Sequence, residues 1–204
     1  MKMFLTLLSG IAWSLVYIEC IRKGFKDKTY GMPLYALGLN FAWETIYAIH
    51  DLSAGASAQA WVNLAWMCLD AVIVYTYFKY GKDEFPENAR RYFIPFSILS
   101  FAICVVMQLA FFVTFDALPA AQYSAFAQNA AMSVMFLVML FRRNSAKGQS
   151  MVIAVAKWIG TVAPTILQGF MGGFNAYIVM MGGICCVVDI IYIVMLRRFQ
   201  KAEA

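Results

Sequence analysis

The chain has 204 residues, of which 63% are hydrophobic and only 13% charged, with 16 Lys and Arg against 11 Asp and Glu and a formal charge of +5. Soluble domains are about 45–50% apolar and about 25% charged, so a water-soluble globular protein is excluded. The basic excess does not build the folded cationic face that nucleic-acid binding needs, because Lys and Arg fall between apolar runs of membrane-spanning length.

A helix crossing ~30 Å of hydrocarbon takes about 20 mostly apolar residues. Seven such runs stand between polar breaks. The first covers 3–21; the cationic cluster after it outweighs the single Lys2 before it, so it reads as an uncleaved anchor. The others are predicted over 33–51, 60–78, 93–115, 119–141, 150–170 and 175–196. Together they occupy most of residues 1–204, which are expected to form a single all-α, seven-helix transmembrane domain.

Lys and Arg are retained on the cytoplasmic side of membranes. Here they gather in the first loop (Arg22, Lys23, Lys26, Lys28), the third (Lys79, Lys82, Arg90, Arg91), the fifth (Arg142, Arg143, Lys147) and the tail (Arg197, Arg198, Lys201). Of the 16 basic residues only Lys2 and Lys157 lie elsewhere. This alternation predicts an outer N-terminus and a cytoplasmic C-terminus, in a bacterial cytoplasmic membrane or endoplasmic reticulum. Asn63, Asp70 and Lys79 in the third span follow the same order as Asn175, Asp189 and Arg197 in the seventh. That order implies two parallel three-helix units joined by a linking fourth helix.

An ionisable group inside a span is costly against lipid and normally faces the bundle interior. Glu44, Asp70, Lys157 and Asp189 are placed so, and neighbours three, four and seven residues away share their helix face. The second span lines up Asn40, Glu44, Tyr47 and Asp51; the third Asn63, Trp66, Asp70 and Tyr77; the sixth Lys157, Thr161, Pro164, Thr165 and Gln168. The seventh offers Asn175, Gly182, Cys185, Asp189 and Tyr192, while Gln108, and Gln122 with Asn129 and Ser133, come from the fourth and fifth. Six such stripes suggest a polar, aromatic-rich chamber. The same groups also hold membrane bundles together without chemistry. Asn63, Gln108, Gln122, Ser133 and Thr161 read more readily that way, as does Lys157, whose depth nearly matches that of Asp189 so that the two would neutralise each other. Asp70 fits either role; Glu44 and Asp189 read as functional.

The stretch Leu39-Asn40-Phe41-Ala42-Trp43-Glu44, the Lys157-Trp158-Ile159-Gly160-Thr161 stretch, the lone Asp189 and the seven-span layout together resemble the small integral-membrane terpene cyclases of fungal meroterpenoid and indole-diterpene pathways and their bacterial relatives. The resemblance implies that Glu44 and Asp189 are the essential acidic residues. It also implies a hydrophobic prenylated substrate, delivered by the lipid bilayer and epoxidised at its end. Such a reaction starts by protonating a terminal epoxide or alkene, and a carboxyl in a low-dielectric cavity keeps its proton for that step. Helical rise puts Glu44 and Asp189 at depths about 6 Å apart. Ring faces stabilise a carbocation without trapping it; Trp43, Tyr47, Trp66, Trp158 and Tyr192 are candidates, with Asn40 and Asp70 as substrate-side polar groups and Lys157, Asn129 and Gln168 in support.

No aspartate-rich diphosphate motif or Gly-rich phosphate loop lies in a span, and His50 has no neighbours with metal-ligand spacing. Asp83-Glu84-Phe85-Pro86-Glu87 reads as solvated loop charge, and the five cysteines (Cys20, Cys68, Cys104, Cys185, Cys186) as packing residues. The expectation is a reaction with no metal and no cofactor, started by protonation, with no nucleic acid and no obligate protein partner. The alternative is a small-solute transporter of the PQ-loop and sugar-efflux kind, whose carboxylates would couple protons, but the Pro-Gln pair is absent: Pro33 precedes Leu34 and Pro164 precedes Thr165. A retinal photoreceptor would want a Lys in the last span, and none lies there.

Overall fold

The computed structural model describes residues 1–55 and 57–203. Its apolar runs form seven helices: α1 (Lys2–Asp27), α2 (Leu34–Ala54), α3 (Ala58–Tyr80), α4 (Phe93–Thr114), α5 (Ala117–Arg143), α6 (Met151–Gly169) and α7 (Ala176–Ala202). Two 3₁₀ turns, Gly81–Glu84 and Glu87–Tyr92, fill the link from α3 to α4. Three helices start on the side-chain caps that short polar residues supply: Ser57, Ser150 and Asn175 accept from the backbone N–H three residues on.

Several helices run past the predicted spans at their basic ends. In α1 the basic cluster continues the helix instead of breaking it, because Arg22 pairs with Glu19 at 2.6 Å and Lys23 with Asp27 at 2.5 Å, one turn apart. Among the described residues, six helices are long and apolar enough to cross a membrane, so the chain is a polytopic membrane protein. The helix left out of the six is α2, which carries Asn40, Glu44, His50 and Asp51. Exposed Ile, Leu, Val, Met and Phe side chains cover the outside of the bundle, α4 and α7 included, as a lipid-facing surface requires.

The helices do not pack in chain order. α3 lies against both α1 and α2, and α7 against both α5 and α6. The two sets meet where α1 packs on α6 and α2 on α5, with α4 against α2 and α5. The α1–α6 seam follows from Pro164, which has no N–H to give to the carbonyl four residues back. That carbonyl, on Gly160, accepts instead from Ser9 Oγ at 2.8 Å and Trp13 Nε1 at 3.1 Å. The glycine lets the indole come this close, since a Cβ on residue 160 would stand 3.0 Å from the Trp13 ring and push it back.

The loops on the basic side of the bundle are tied together by Arg143. It bonds to Glu84, Thr29 and the carbonyls of Tyr30 and Lys147, and its guanidinium lies 4.4 Å from the centre of the Tyr30 ring. Glu84, predicted as plain solvated charge, is therefore a structural anchor; it also meets the Thr29 hydroxyl. The cysteines are unpaired, with Cys20, Cys104 and Cys185 buried and Cys68 exposed.

Candidate active site

A cavity of about 810 Å³ opens in the half of the bundle that holds the N-terminal ends of α1, α3 and α5 and the C-terminal ends of α2 and α6. Its wall runs from Leu5 to Ile18 on α1, Asn40 to Asp51 on α2, Gln59 to Trp66 on α3, Ala117 to Asn129 on α5 and Pro164 to Gln168 on α6. No residue of α4 or α7 reaches it. Leu7, Ile11, Leu15 and Ile18, on one stripe of α1, and Val62 of α3 line the cavity and are also exposed on the outside of the bundle. The cavity thus communicates sideways with the region that lipid occupies.

Glu44 sits on this wall and is 1% exposed. The Tyr17 hydroxyl of α1 donates to its Oε1, and Asn40, one turn earlier on α2, brings Nδ2 to 3.1 Å from the same oxygen. Asn40 Nδ2 also lies 2.6 Å from Tyr17 Oη and 2.9 Å from Asp70 Oδ2. Behind it, Gln128 Nε2 donates to Asn40 Oδ1 at 3.1 Å and Gln108 Nε2 to Gln128 Oε1 at 2.6 Å. The Tyr17 hydroxyl is thus the donor on Oε1 of Glu44, since the two protons of Asn40 Nδ2 go to its nearer acceptors, Tyr17 Oη and Asp70 Oδ2. Oε2 is buried and meets no donor among the described residues, and the Asp70 carboxyl is a close neighbour of the Glu44 carboxyl.

Aromatic rings flank the acid. Trp13, Tyr17 and Trp66 form a run with centroids 6.2 and 6.0 Å apart, and Trp43 and Tyr47 a pair at 4.8 Å; all five line the cavity. The indole N–H groups are engaged elsewhere: Trp43 Nε1 donates to the Ala121 carbonyl and Trp66 Nε1 to Ser14 Oγ, both at 3.0 Å, and Trp13 Nε1 to the Gly160 carbonyl. The Tyr47 hydroxyl has no partner among the described residues.

The structure brings together part of the predicted set. Asn40, Trp43, Glu44, Tyr47, Trp66, Asn129 and Gln168 share the cavity wall. Asp70 is off the wall, accepting from Asn40 and lying beside the Glu44 carboxyl. Asp189 and Lys157, which the stripes place beside the chamber, are instead paired at 2.6 Å with both side chains 0% exposed and off the cavity wall, and Lys157 Nζ donates also to Ser133 Oγ at 2.6 Å. Trp158 is half-buried and directs Nε1 to Cys186 Sγ; Tyr192 is buried against Phe136 with its hydroxyl on Gln149. The seventh helix faces the bundle but not the cavity, because α5 and α6 stand in front of it. Tyr17 and Trp13 were missed: within an apolar run they look like filler, and only their spacing from Ser9 and Ser14 along one face marks them. No group of three or more His, Cys, Asp or Glu side chains gathers as for a metal among the described residues.

A membrane-embedded, aromatic-walled cavity with one buried carboxyl on its wall fits a cyclase of hydrophobic substrates. Residues 1–202 match the family of Pyr4-like transmembrane terpene cyclases, and the chain belongs to that family. It is by membership an integral-membrane terpene cyclase. Among its relatives, the protein named Terpene cyclase pyr4, from Aspergillus fumigatus, is 27% identical over 211 residues, covering 97% of this chain and 86% of the relative. Pyr4-family terpene cyclase mfmH of Annulohypoxylon moriforme is 34% identical over 165 residues (78% and 66% of the two chains), and Terpene cyclase andB of Emericella variicolor 30% over 165 residues (80% and 70%). No solved structure matches the chain.

Proposed function

We propose that the protein cyclises a prenylated aromatic or indole substrate with a terminal epoxide or alkene, without a metal, by proton transfer from Glu44. The observation that carries this reading is the buried Glu44 carboxyl at the wall of a cavity lined by ring faces, with the Tyr17 hydroxyl on Oε1 and no donor on Oε2 among the described residues. The Glu44 proton goes to the epoxide oxygen or alkene carbon, and successive alkene π bonds close the rings as the cation moves along the chain. Loss of a proton, or capture by water, ends the sequence; in the first case the product is an isomer of the substrate. Tyr17, itself held by Asn40, donates to the carboxylate that Glu44 becomes, and the rings of Trp13, Tyr17, Trp43, Tyr47 and Trp66 stabilise the cation. Asp51, two turns beyond Glu44 on the same face of α2, is the other carboxyl on the wall and the candidate to take up the final proton. Asp189, which the resemblance implies is essential, is paired with Lys157 behind the wall and in this proposal gives no proton to the substrate.

All seven helices cross the membrane in this reading, with the N-terminus outside. The polar groups of α2 are no obstacle, because Asn40 and Glu44 are buried and α3, α4 and α5 cover the helix. The cavity draws its wall from one half of the bundle and has a lateral opening. Such a form suits a substrate arriving from the bilayer better than a solute carried between two aqueous sides. The test is incubation of the reconstituted protein with farnesylated aromatic and indole epoxides, beside Glu44→Gln. The parent is expected to make a cyclised isomer and the variant to make none; conversion by Glu44→Gln would remove Glu44 from the chemistry.

A further inference from the structure

The helix set α1–α3 and the set α5–α7 repeat each other at an offset of about 117 residues, near the half-length that a duplicated membrane bundle has. Both first helices end on a residue with left-handed backbone, Lys28 at φ 50° and Asn144 at φ 47°. Each is followed by a glycine, Gly31 or Gly148, and by a second helix starting at Leu34 or Met151. In each set the third helix packs on the other two, and the two contacts between sets, α1 with α6 and α2 with α5, exchange when the sets are exchanged.

The polar clusters repeat as well, atom for atom. In the first set a nitrogen on the second helix, Asn40 Nδ2, reaches a hydroxyl on the first helix (Tyr17, 2.6 Å) and a carboxylate on the third (Asp70, 2.9 Å). In the second set Lys157 Nζ reaches Ser133 Oγ and Asp189 Oδ1, both at 2.6 Å. Asp189 is thus the counterpart of Asp70, and Lys157 of Asn40. The copies differ in charge and in access. The first has a neutral amide and adds Glu44 at the cavity wall; the second has an ammonium and is shut away from the cavity.

We infer that the two buried aspartates are copies of one positioning part: Asp70 anchors Asn40 behind the acid Glu44, and Asp189 is needed only as the counter-ion of Lys157. Neither touches the substrate. A buried ion pair that loses one partner leaves an uncompensated charge, whereas replacing both by apolar groups of similar volume is often neutral. Asp189→Asn is therefore a lesion of the bundle, not of the reaction.

The inference uses the cyclase reading only for its activity readout, so the test has two readouts. Thermal unfolding of the purified protein in detergent needs no substrate: Asp189→Asn is expected to lower the midpoint clearly, and Lys157→Met/Asp189→Leu to return it to near the parent. Turnover of whichever epoxide the parent converts is expected to fall more than about 100-fold in Asp189→Asn and to return to within about tenfold in the double variant. The exchanged pair Lys157→Asp/Asp189→Lys, which keeps the ion pair but removes the carboxyl from α7, is expected to stay active and serves if the apolar double does not fold. Asp189→Asn with the parent's thermal stability would overturn the inference, as would either double variant folding like the parent without turnover. Asp70→Asn is expected to lower kcat with little change in KM, and Asp70→Glu to recover part of it; an Asp70→Asn enzyme with parental kcat would overturn the anchoring role of Asp70. Activity retained in Glu44→Gln fails the protonation reading and leaves the stability comparison at Asp189 standing.

Discussion

In the proposed reaction the carboxylate left on Glu44 meets the Tyr17 hydroxyl already in place on Oε1, with Asn40 holding the Tyr17 oxygen, so that donor needs no reorganisation when charge develops. Tyr17→Phe removes that donor and keeps the ring on the cavity wall. It is expected to lower kcat about 100-fold with KM nearly unchanged, measured by steady-state turnover; an equal loss in KM alone would assign Tyr17 to binding. Much of this site was legible beforehand, because Asn40, Glu44 and Tyr47 are spaced three and four residues apart and the pattern needs no partner helix. The Lys157–Asp189 pairing was legible from depth. What the sequence could not show is which stripe faces the cavity: a helix face points inward equally well toward a neighbouring helix, and only packing separates Asp189 from Glu44.

At the level of helices, the α1–α6 seam depends on Gly160 and Pro164 together. The proline frees the carbonyl that Ser9 and Trp13 occupy, and the glycine makes room for the indole. Gly160→Val is expected to cost about 1–3 kcal/mol by overpacking, read from thermal unfolding, and to reduce turnover by moving Trp13 on the cavity wall. Arg143→Ala should destabilise by about 2 kcal/mol, because it leaves Glu84, Thr29 and two loop carbonyls without their donor; it should leave the KM of the folded fraction unchanged. Helix number and order were readable from hydropathy. Helix length was not, since the charged C-terminal ends of α1, α5 and α7 look like loops until the Arg22–Glu19 and Lys23–Asp27 pairs are seen to hold α1 in register.

For the whole molecule, the sideways opening between α1 and α3 makes access from the bilayer a testable property. In a Cys68→Ala background, a bulky maleimide on Ile11→Cys is expected to block turnover, while the same label on Val113→Cys, an exposed position of α4 away from the cavity, is not. The charge distribution predicts that a C-terminal tag is protected from protease added to the outer face of sealed vesicles. The central claim is that Glu44 starts a cyclisation by giving up a proton. It is tested most directly by mass spectrometry of reconstituted parent and Glu44→Gln proteins given a farnesylated aromatic epoxide. The account predicts a cyclised product of unchanged mass from the parent and none from the variant; the same product from both would contradict it.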